Sequence, residues 1–320
     1  MNSGSIKEFR HIYVYACHET ERELCELEML RLFDTRPVTS TLVAASRLMD
    51  PDVSPFIRLR LDVLGAATEL DELAAFASEL IVDEGTTFKA AFIKEGDGAE
   101  DYTRQREIER EIGWRIRGRA KMKEPDLVFG IIRLQGQWLL GRCVYSGRSW
   151  LQRRHKPQNY STGLPVLAAK ALVNLAAPYP EGRKLIDPCC GMGNVVIEGQ
   201  MNGIHIHGND MNPLAVQGAR VNLRHYGLSE ELVTLGDMNL LEERYDAAIL
   251  DMPYNLCSVL SQPERDRMLT SLRRLADAAV VVSIEPIRDA LLATGWQIEA
   301  ECRLYKGERG GMVREIYICK

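Results

Sequence analysis

The sequence predicts an α/β protein whose carboxyl-terminal half is a doubly wound, Rossmann-like sheet and whose amino-terminal half consists of smaller α+β units. Two observations predict the larger sheet. Between residues 164 and 283, apolar strand patterns alternate with helical patterns, and such alternation is typical of a mainly parallel sheet covered by helices. The tail, residues 296–320, then contains two strand-like runs joined through the glycines of residues 307–311, which predicts a closing antiparallel hairpin.

The first 150 residues mix short strands with amphipathic helices. Predicted strands cover residues 12–16, 57–61, 87–93, 123–132 and 137–145, and predicted helices cover residues 19–33, 71–80 and 103–117. The last two strands form a predicted hairpin across Gln135 and Gly136. Residues 146–160 are rich in Gly, Ser, Arg and Pro, which is typical of a linker or an exposed strand end.

The second half repeats a strand–helix unit. Predicted strands cover residues 185–186, 204–208, 232–235, 247–250 and 279–283, and predicted helices cover residues 167–175, 195 onward and 215–224. Ligands bind to sheets of this kind at the carboxyl ends of the strands. Residues that follow these strands are therefore the first candidates for a binding site.

Composition bounds the class of protein. With 320 residues, 46% hydrophobic and 27% charged, the chain predicts two or three globular domains. It contains neither an apolar run long enough for a membrane span nor a secretory signal pattern. Its eight cysteines include no C-x-x-C pair, so we expect reduced thiols, a cytoplasmic protein and no metal ion. A monomer is the favoured oligomeric state.

Charge is unevenly distributed along the chain. The net charge is −5, yet residues 100–160 contain 14 Lys and Arg against 7 Asp and Glu. Phosphate backbones respond to local potential rather than to the overall isoelectric point. The basic stretch therefore predicts either a surface that faces RNA or DNA or a solvated helix face, and charge alone does not separate the two.

The turn after the first strand of the larger sheet predicts a cofactor site. Gly191 and Gly193 allow a tight turn and a close approach to a ligand. A dinucleotide fold would add a third glycine, where this chain has Val196, and rarely ends its first strand with an acid such as Asp187. An aspartate at that position suits a cationic amino-acid ligand, and S-adenosylmethionine carries an ammonium and a sulfonium.

Further acids follow the next two strands. Asp210 could accept hydrogen bonds from both ribose hydroxyls, and Asp237 could accept one from the adenine amine, with Met238 beside the ring. Three acids after three successive strands predict S-adenosylmethionine as the cofactor. The remaining candidates for contact with it are Cys189, Asn194 and Met211. Cys189 and Cys190 lack a histidine base at a fixed spacing, which favours packing over nucleophilic catalysis.

The fourth strand runs into Asp251-Met252-Pro253-Tyr254-Asn255. An exocyclic amine on a base is a poor nucleophile because its lone pair is delocalised into the ring. A carboxylate from Asp251 and the Pro253 carbonyl would accept its two protons, and Tyr254 offers a face on which an extruded base can stack. These three residues are the predicted catalytic set. The alternative is an ordinary strand-ending turn, for which Asp-x-Pro is common.

At these motifs the chain resembles the THUMP-containing tRNA guanosine methyltransferases, which modify the exocyclic amine of guanine. The resemblance rests on Asp187-Pro188 through Gly193 and on Asp251-x-Pro253-Tyr254, with weaker matches to a THUMP domain at residues 88–92, 124–127 and 141–154. It implies a class I methyltransferase sheet preceded by ferredoxin-like and THUMP domains. The implied boundaries are a ferredoxin-like domain at 1–85, a THUMP-like RNA-binding domain at 86–150, a linker at 151–163 and a methyltransferase domain at 164–320.

The resemblance also implies a substrate and its contacts. The amino-terminal module would grip the tRNA acceptor end, and Ser161 and Thr162 would close over the cofactor. Candidate phosphate contacts are Arg148, Arg153, Arg154, His155 and Lys156. Met252 and Asn255 depart from the family pattern, which leaves open which base is modified and how many methyl groups are added.

Three other functions stay open at this stage. An adenine-amine methyltransferase that acts on RNA or DNA would use the same activation geometry. A nicotinamide-dependent oxidoreductase would share the sheet, although the missing third glycine counts against it. A non-catalytic RNA-binding protein with a degenerate fold is disfavoured because the acids at 187, 210, 237 and 251 are all present.

Overall fold

The computed structural model describes residues 10–95, 100–159, 163–253, 260–306 and 311–320. The chain divides into two compact units. The first unit consists of the residues up to 16, residues 35–52 and residues 56–147. The second unit consists of residues 17–34, residues 53–55 and everything from residue 148 onward.

Within its described residues, the first unit contains a seven-stranded sheet in the order β2-β1-β3-β7-β6-β4-β5. Its elements, in chain order, are β1 (His11–Tyr15), β2 (Leu42–Ala45), β3 (Ile57–Ala67), α2 (Leu70–Ala77), β4 (Thr87–Phe92), α3 (Tyr102–Arg115), β5 (Arg119–Ala120), β6 (Leu127–Leu134) and β7 (Gln137–Tyr145). The predicted hairpin is confirmed: β6 and β7 are antiparallel, and Gln135 and Gly136 both have positive φ, as a tight two-residue hairpin turn requires.

This sheet is continuous across residue 85, where the sequence predicted a boundary between two domains. β3 pairs with β7 along its length, and the side chain of Leu61 on β3 shares a buried cluster with those of Ile132 and Leu139. The structure therefore joins residues on both sides of that boundary in one sheet, because β3 and β7 pair although they are distant in sequence.

The second unit confirms the predicted doubly wound sheet and its closing hairpin. Its strands are β8 (Lys184–Asp187), β9 (His205–Asp210), β10 (Val233–Leu235), β11 (Tyr245–Asp251), β12 (Ala276–Ser283), β13 (Ile298–Tyr305) and β14 (Val313–Cys319). Their order is β10-β9-β8-β11-β12-β14-β13. The first five are parallel to one another, whereas β14 is antiparallel to both β12 and β13.

Helices cover this second sheet. They are α1 (Arg22–Phe33), α4 (Val166–Ala176), α5 (Asn194–Met201), α6 (Pro213–His225), α7 (Gln262–Leu275) and α8 (Arg288–Ala293). The strand order reverses at β8: β9 and β10 follow on one side of it, and β11 and β12 on the other. In open sheets of this kind the crevice at such a switch point is where ligands bind. Asp187, Asp210 and Asp251 are the last residues of β8, β9 and β11.

Helix α1 belongs to the second unit, although the sequence predicted it as part of the first domain. The buried Glu28 on α1 accepts a hydrogen bond from Ser54 Oγ at 2.6 Å and one from Asn174 Nδ2, on α4, at 2.7 Å. Residues 17–34 and 53–55 are therefore held to the second unit by polar contacts that no local sequence pattern reveals. Among the described residues, no helix is both long and apolar enough to cross a membrane.

Candidate functional site

The turn between β8 and α5 has the tight geometry that its glycines predict. Gly191 and Gly193 have φ values of 52° and 80°, a region that glycine enters without steric strain. The Gly193 amide donates to the Cys190 carbonyl at 2.8 Å, and the Gly191 amide donates to Asp210 Oδ2 at 2.8 Å. This second bond ties the end of β8 to the end of β9.

Asp187 lies at the bottom of this turn and is 3% exposed. Its Oδ1 accepts a hydrogen bond from the Cys189 amide at 3.3 Å. Burial raises the pKa of its carboxyl well above the ordinary value, and the nearby charges of Asp251 and Asp210 raise it further. A buried carboxylate in this setting favours a cationic ligand, since a positive charge would restore the stability of its ionised form.

Two cavities adjoin at this end of the sheet. The first cavity, about 260 Å³, is lined by Lys156, Asp187, Gly191, Asn194 and Asp251, among others. The second cavity, about 480 Å³, is lined by the carboxylates Asp210 and Asp237 together with Met211, Met238 and Pro253, among others. Both are lined by Gly163, Cys189 and Asp251. One elongated ligand could therefore occupy both cavities and pass Asp251 on the way.

The two acids of the second cavity also organise the loops around it. Asp210 Oδ1 accepts from the Asn212 amide at 2.9 Å, and Asp237 Oδ1 accepts from the Asn239 amide at 2.9 Å. Carboxylate oxygens carry further lone pairs, so both acids can still accept from hydroxyls or an amine. Met238 is buried beside Cys189, with 3.7 Å between the two sulfurs, whereas Met211 is exposed.

Asp251 lines both cavities, and one of its carboxylate oxygens has no partner in the described part of the chain. Its Oδ1 is buried and has no hydrogen-bond partner among the described residues. Burial raises the pKa of its carboxyl to about 7, against the opposing charge of Arg314. The next amide, that of Met252, donates to the Val282 carbonyl at 2.8 Å and so anchors the start of the turn. Tyr254 lies outside the described residues.

Cys190 is buried and Cys189 is partly buried. Burial raises the pKa of each thiol well above its ordinary value, and the surrounding acids raise it further. Since the thiolate is the nucleophilic form, this environment favours the packing role over nucleophilic catalysis. No group of three or more His, Cys, Asp or Glu in the described part of the chain could hold a metal ion.

The five basic residues that the resemblance offered for phosphate contact fall into two sets. Arg148, Arg154 and His155 are exposed, and the guanidinium of Arg154 lies over the Trp150 ring at 5.7 Å. Arg153 requires a correction. It is 8% exposed and donates to both carboxylate oxygens of Glu198, at 2.5 and 2.8 Å, which makes it a structural ion pair.

Lys156 requires the same correction. It is 7% exposed, lines the first cavity, and its Nζ donates to Asn194 Oδ1. An RNA phosphate outside the protein would not reach a side chain so enclosed. Ser161 and Thr162, the predicted closing segment, lie outside the described residues.

Two asparagines that the sequence reasoning missed hold the site together. Asn209 Nδ2 donates to the carbonyls of Pro188 and Gly236, at 3.3 and 2.9 Å, and so links the turns after β8 and β10. Asn222 Nδ2 donates to the carbonyls of Gln158 and Met192, both at 3.0 Å. The available signal was a polar residue in a buried position: Asn209 precedes Asp210 at the end of β9, and Asn222 lies on the buried face of α6.

Comparison with known proteins identifies the class of this site. The family UPF0020, described as an RMKL-like methyltransferase domain, matches residues 153–277. This segment is therefore similar to a methyltransferase domain. The match and the strand order together confirm the fold class predicted for the carboxyl-terminal half.

Individual relatives are more distant. The tRNA (guanine(10)-N2)-dimethyltransferase of Pyrococcus abyssi is 26% identical over 213 residues, which is 62% of this chain and 64% of that protein. The U6 snRNA (guanine-N(2))-methyltransferase THUMPD2 of Bos taurus is 29% identical over 176 residues, 52% of this chain and 32% of that protein. The matches thus span less than two thirds of these curated relatives. TrmN from Thermus thermophilus is similar in structure, with 15% identity, a TM-score of 0.49 and coverage of 97% and 99% of the two chains.

Proposed function

We propose that this protein transfers a methyl group from S-adenosylmethionine to the exocyclic amine of a guanosine in RNA, with tRNA as the first substrate to test. The observation that carries the proposal is the buried Oδ1 of Asp251, which has no partner within the described residues and lies where the two cavities adjoin. A buried polar atom without a partner is costly, and an amine proton of the substrate would satisfy it.

The residues present fit this cofactor. Asp187 offers a buried carboxylate to an ammonium group in the first cavity. Asp210 and Asp237 offer acceptors to ribose hydroxyls and an adenine amine in the second cavity. S-adenosylmethionine, when bound, supplies a methyl group that its sulfonium has already activated. The protein then has mainly to position the acceptor amine and to exclude water.

The acceptor side depends on Asp251 and the Pro253 carbonyl. An amine whose lone pair is delocalised gains nucleophilicity when both of its protons are held by acceptors. The Asp251 carboxylate would accept one proton, and its raised pKa suits it to retain that proton after transfer. The Pro253 carbonyl would accept the other, and Tyr254 would stack on the base.

Relatives support the choice of base. Both curated relatives described above are named as guanine-N2 methyltransferases, one acting on tRNA and one on U6 snRNA. We assign the first unit, which contains most of the predicted ferredoxin-like segment 1–85 and THUMP-like segment 86–150, to RNA binding. Arg148, Arg154 and His155 remain the proposed phosphate contacts of the linker. A monomer in the cytoplasm remains the expected form.

The test is methyl transfer from radiolabelled S-adenosylmethionine to unmodified tRNA, U6 snRNA and duplex DNA, followed by mass spectrometry of the digested nucleosides. We expect N2-methylated guanosine from tRNA. Asp251→Asn should lower the rate of transfer by at least about 100-fold, whereas Asp277→Asn should leave it near the wild-type rate, because Asp277 is an exposed carboxylate at the far end of the neighbouring strand β12. N6-methyladenosine as the product would replace guanine by adenine, and transfer to none of the three would refute the proposal.

A further inference from the structure

Lys156 is a buried cation in the part of the site assigned to the amino-acid end of the cofactor. Its side chain is 7% exposed and lines the first cavity beside Asp187 and Asn194. Among the described residues it takes part in no ion pair within 4.0 Å; its Nζ donates only to the neutral amide of Asn194. Burying an ammonium in this way is unfavourable unless an anion arrives.

The backbone that carries Lys156 is held in place by a set of specific contacts. The Gln158 amide donates to Asn222 Oδ1 at 2.9 Å, and Asn222 in turn binds the Gln158 carbonyl. The Asn159 side chain donates to the Lys156 carbonyl at 2.9 Å. Three residues earlier, Arg153 is fixed by its ion pair with Glu198. The position of Lys156 is therefore set before any ligand binds, as preorganised recognition requires.

The charges that line the first cavity match a zwitterion. Asp187 and Asp251 are acidic, and the cations are Lys156 and Arg154. Asp187 is buried, as Lys156 is, whereas Arg154 is exposed and lies over Trp150. An α-amino acid carries its ammonium and its carboxylate on one carbon. A buried acid and a buried amine lining the same small cavity are suited to hold both groups at once.

We propose that the Lys156 ammonium binds the α-carboxylate of the cofactor's methionine moiety, opposite the Asp187 carboxylate that binds its α-ammonium. This inference rests on the proposed function, because it takes S-adenosylmethionine as the ligand. It makes Lys156 a cofactor-specificity residue: the site accepts adenosyl ligands that keep the carboxylate and discriminates against those that lack it.

The state of Lys156 in the free protein agrees with this role. Burial lowers the pKa of its ammonium to about 8, while the charge of Glu198 raises it. A bound carboxylate would favour the charged form. Affinity for the cofactor should then depend on the ligand's carboxylate more than on any exposed arginine of the linker.

The experiment compares S-adenosylhomocysteine with its decarboxylated analogue by calorimetry, on the full-length protein. The two ligands differ only in the carboxylate. A charge-assisted hydrogen bond contributes enough for roughly a 10- to 100-fold preference, so we expect the wild type to prefer S-adenosylhomocysteine by about that factor. A preference below about 3-fold in the wild type would overturn the inference without any variant.

Matched variants then assign the preference to one side chain. Lys156→Met should reduce affinity for S-adenosylhomocysteine to that for the decarboxylated analogue, and should leave the affinity for the analogue nearly unchanged. Arg154→Met, which removes an exposed charge from the same cavity, should keep the full preference. A preference retained in Lys156→Met, or lost in Arg154→Met, would refute the assignment.

The same data separate this inference from the proposed function. If the wild type binds neither ligand, the proposed cofactor is wrong. If it binds both ligands equally, the cofactor stands and the role of Lys156 falls. Should Lys156→Met fail to fold, two other measurements decide the question. One is the ratio of the wild-type affinities for S-adenosylhomocysteine and its decarboxylated analogue. The other is the same ratio in the more conservative Lys156→Arg, which we expect to retain a preference for the carboxylate.

Discussion

Replacing Asp251 by asparagine should make the ligand-free protein more stable at alkaline pH while it removes activity. Burial raises the pKa of this carboxyl from 3.8 to about 7. Because this pKa is higher in the folded than in the unfolded state, ionisation of the carboxyl lowers the free energy of unfolding. The contribution of Asp251 to stability is therefore complete below about pH 4 and is lost as pH rises through 7. A shift of about three pKa units at about 1.4 kcal/mol each corresponds to about 4 kcal/mol by pH 8.

The assay is urea denaturation of the wild type and Asp251→Asn between about pH 4 and pH 8. We expect the variant's advantage in free energy of unfolding to grow with pH and to level off above pH 7. Asp277→Asn is the control: its carboxylate is 73% exposed, so its difference from the wild type should stay small at every pH. An Asp251→Asn advantage that does not change with pH would refute the reasoning.

Catalysis should show the opposite trend with pH. Only the ionised carboxylate can accept an amine proton, so kcat/KM for methyl transfer should rise with pH through about 7 in the wild type. Loss of a positioned acid–base group typically lowers rates by about 100- to 10,000-fold, and we expect Asp251→Asn to fall in this range. Near-normal binding of S-adenosylhomocysteine by the variant would show that chemistry, and not the fold, was lost.

Three further predictions concern the surrounding residues. Burial raises the pKa of Glu28 to about 7, so the wild type should lose stability as pH rises from about 5 to 8. Glu28→Gln should lose less stability over this range, as measured by urea denaturation. An unchanged pH dependence in the variant would count against this prediction. Arg153→Met should destabilise the protein by about 3–5 kcal/mol because it leaves Glu198 buried without its bidentate partner. Arg154→Met should leave stability unchanged but lower the slope of the salt dependence of RNA binding by about one unit, which filter binding between low and high salt checks. If Arg154→Met lost stability and Arg153→Met changed only the salt dependence, both predictions would be contradicted. Asn209→Ala should lower stability by about 1–3 kcal/mol and weaken S-adenosylhomocysteine binding, since it breaks the link between the turns after β8 and β10. If calorimetry gave an unchanged affinity for S-adenosylhomocysteine, the turns would hold their positions without Asn209.

The parts of the site that sequence could predict are those encoded by local order. Asp187, Asp210 and Asp251 each end a strand, and parallel strands bring their carboxyl ends to one edge. The pattern therefore located the sheet edge where the two cavities lie, without any knowledge of long-range contacts. The Gln135-Gly136 turn was predictable for the same reason, because backbone conformation there depends on two adjacent residues.

Features that depend on distant partners were not predictable in this way. Arg153 and Lys156 belong to a basic stretch, and the family resemblance implied that they contact phosphates. Only the fold shows that Glu198 pairs with Arg153 and that Lys156 lines a cavity. The same limit applies to the β3–β7 pairing, which joins segments that the resemblance had assigned to separate domains.

Because helix α1 is part of the second unit, that unit is not a continuous stretch of chain. A fragment that starts at residue 148 would lack residues 17–34 and 53–55, and the amide of Asn174 would lose its bonds to Glu28 and to the Val53 carbonyl. A recombination event that exchanged the amino-terminal half as one block would remove the same helix. The two units are thus constrained to be inherited together, even though each has its own sheet.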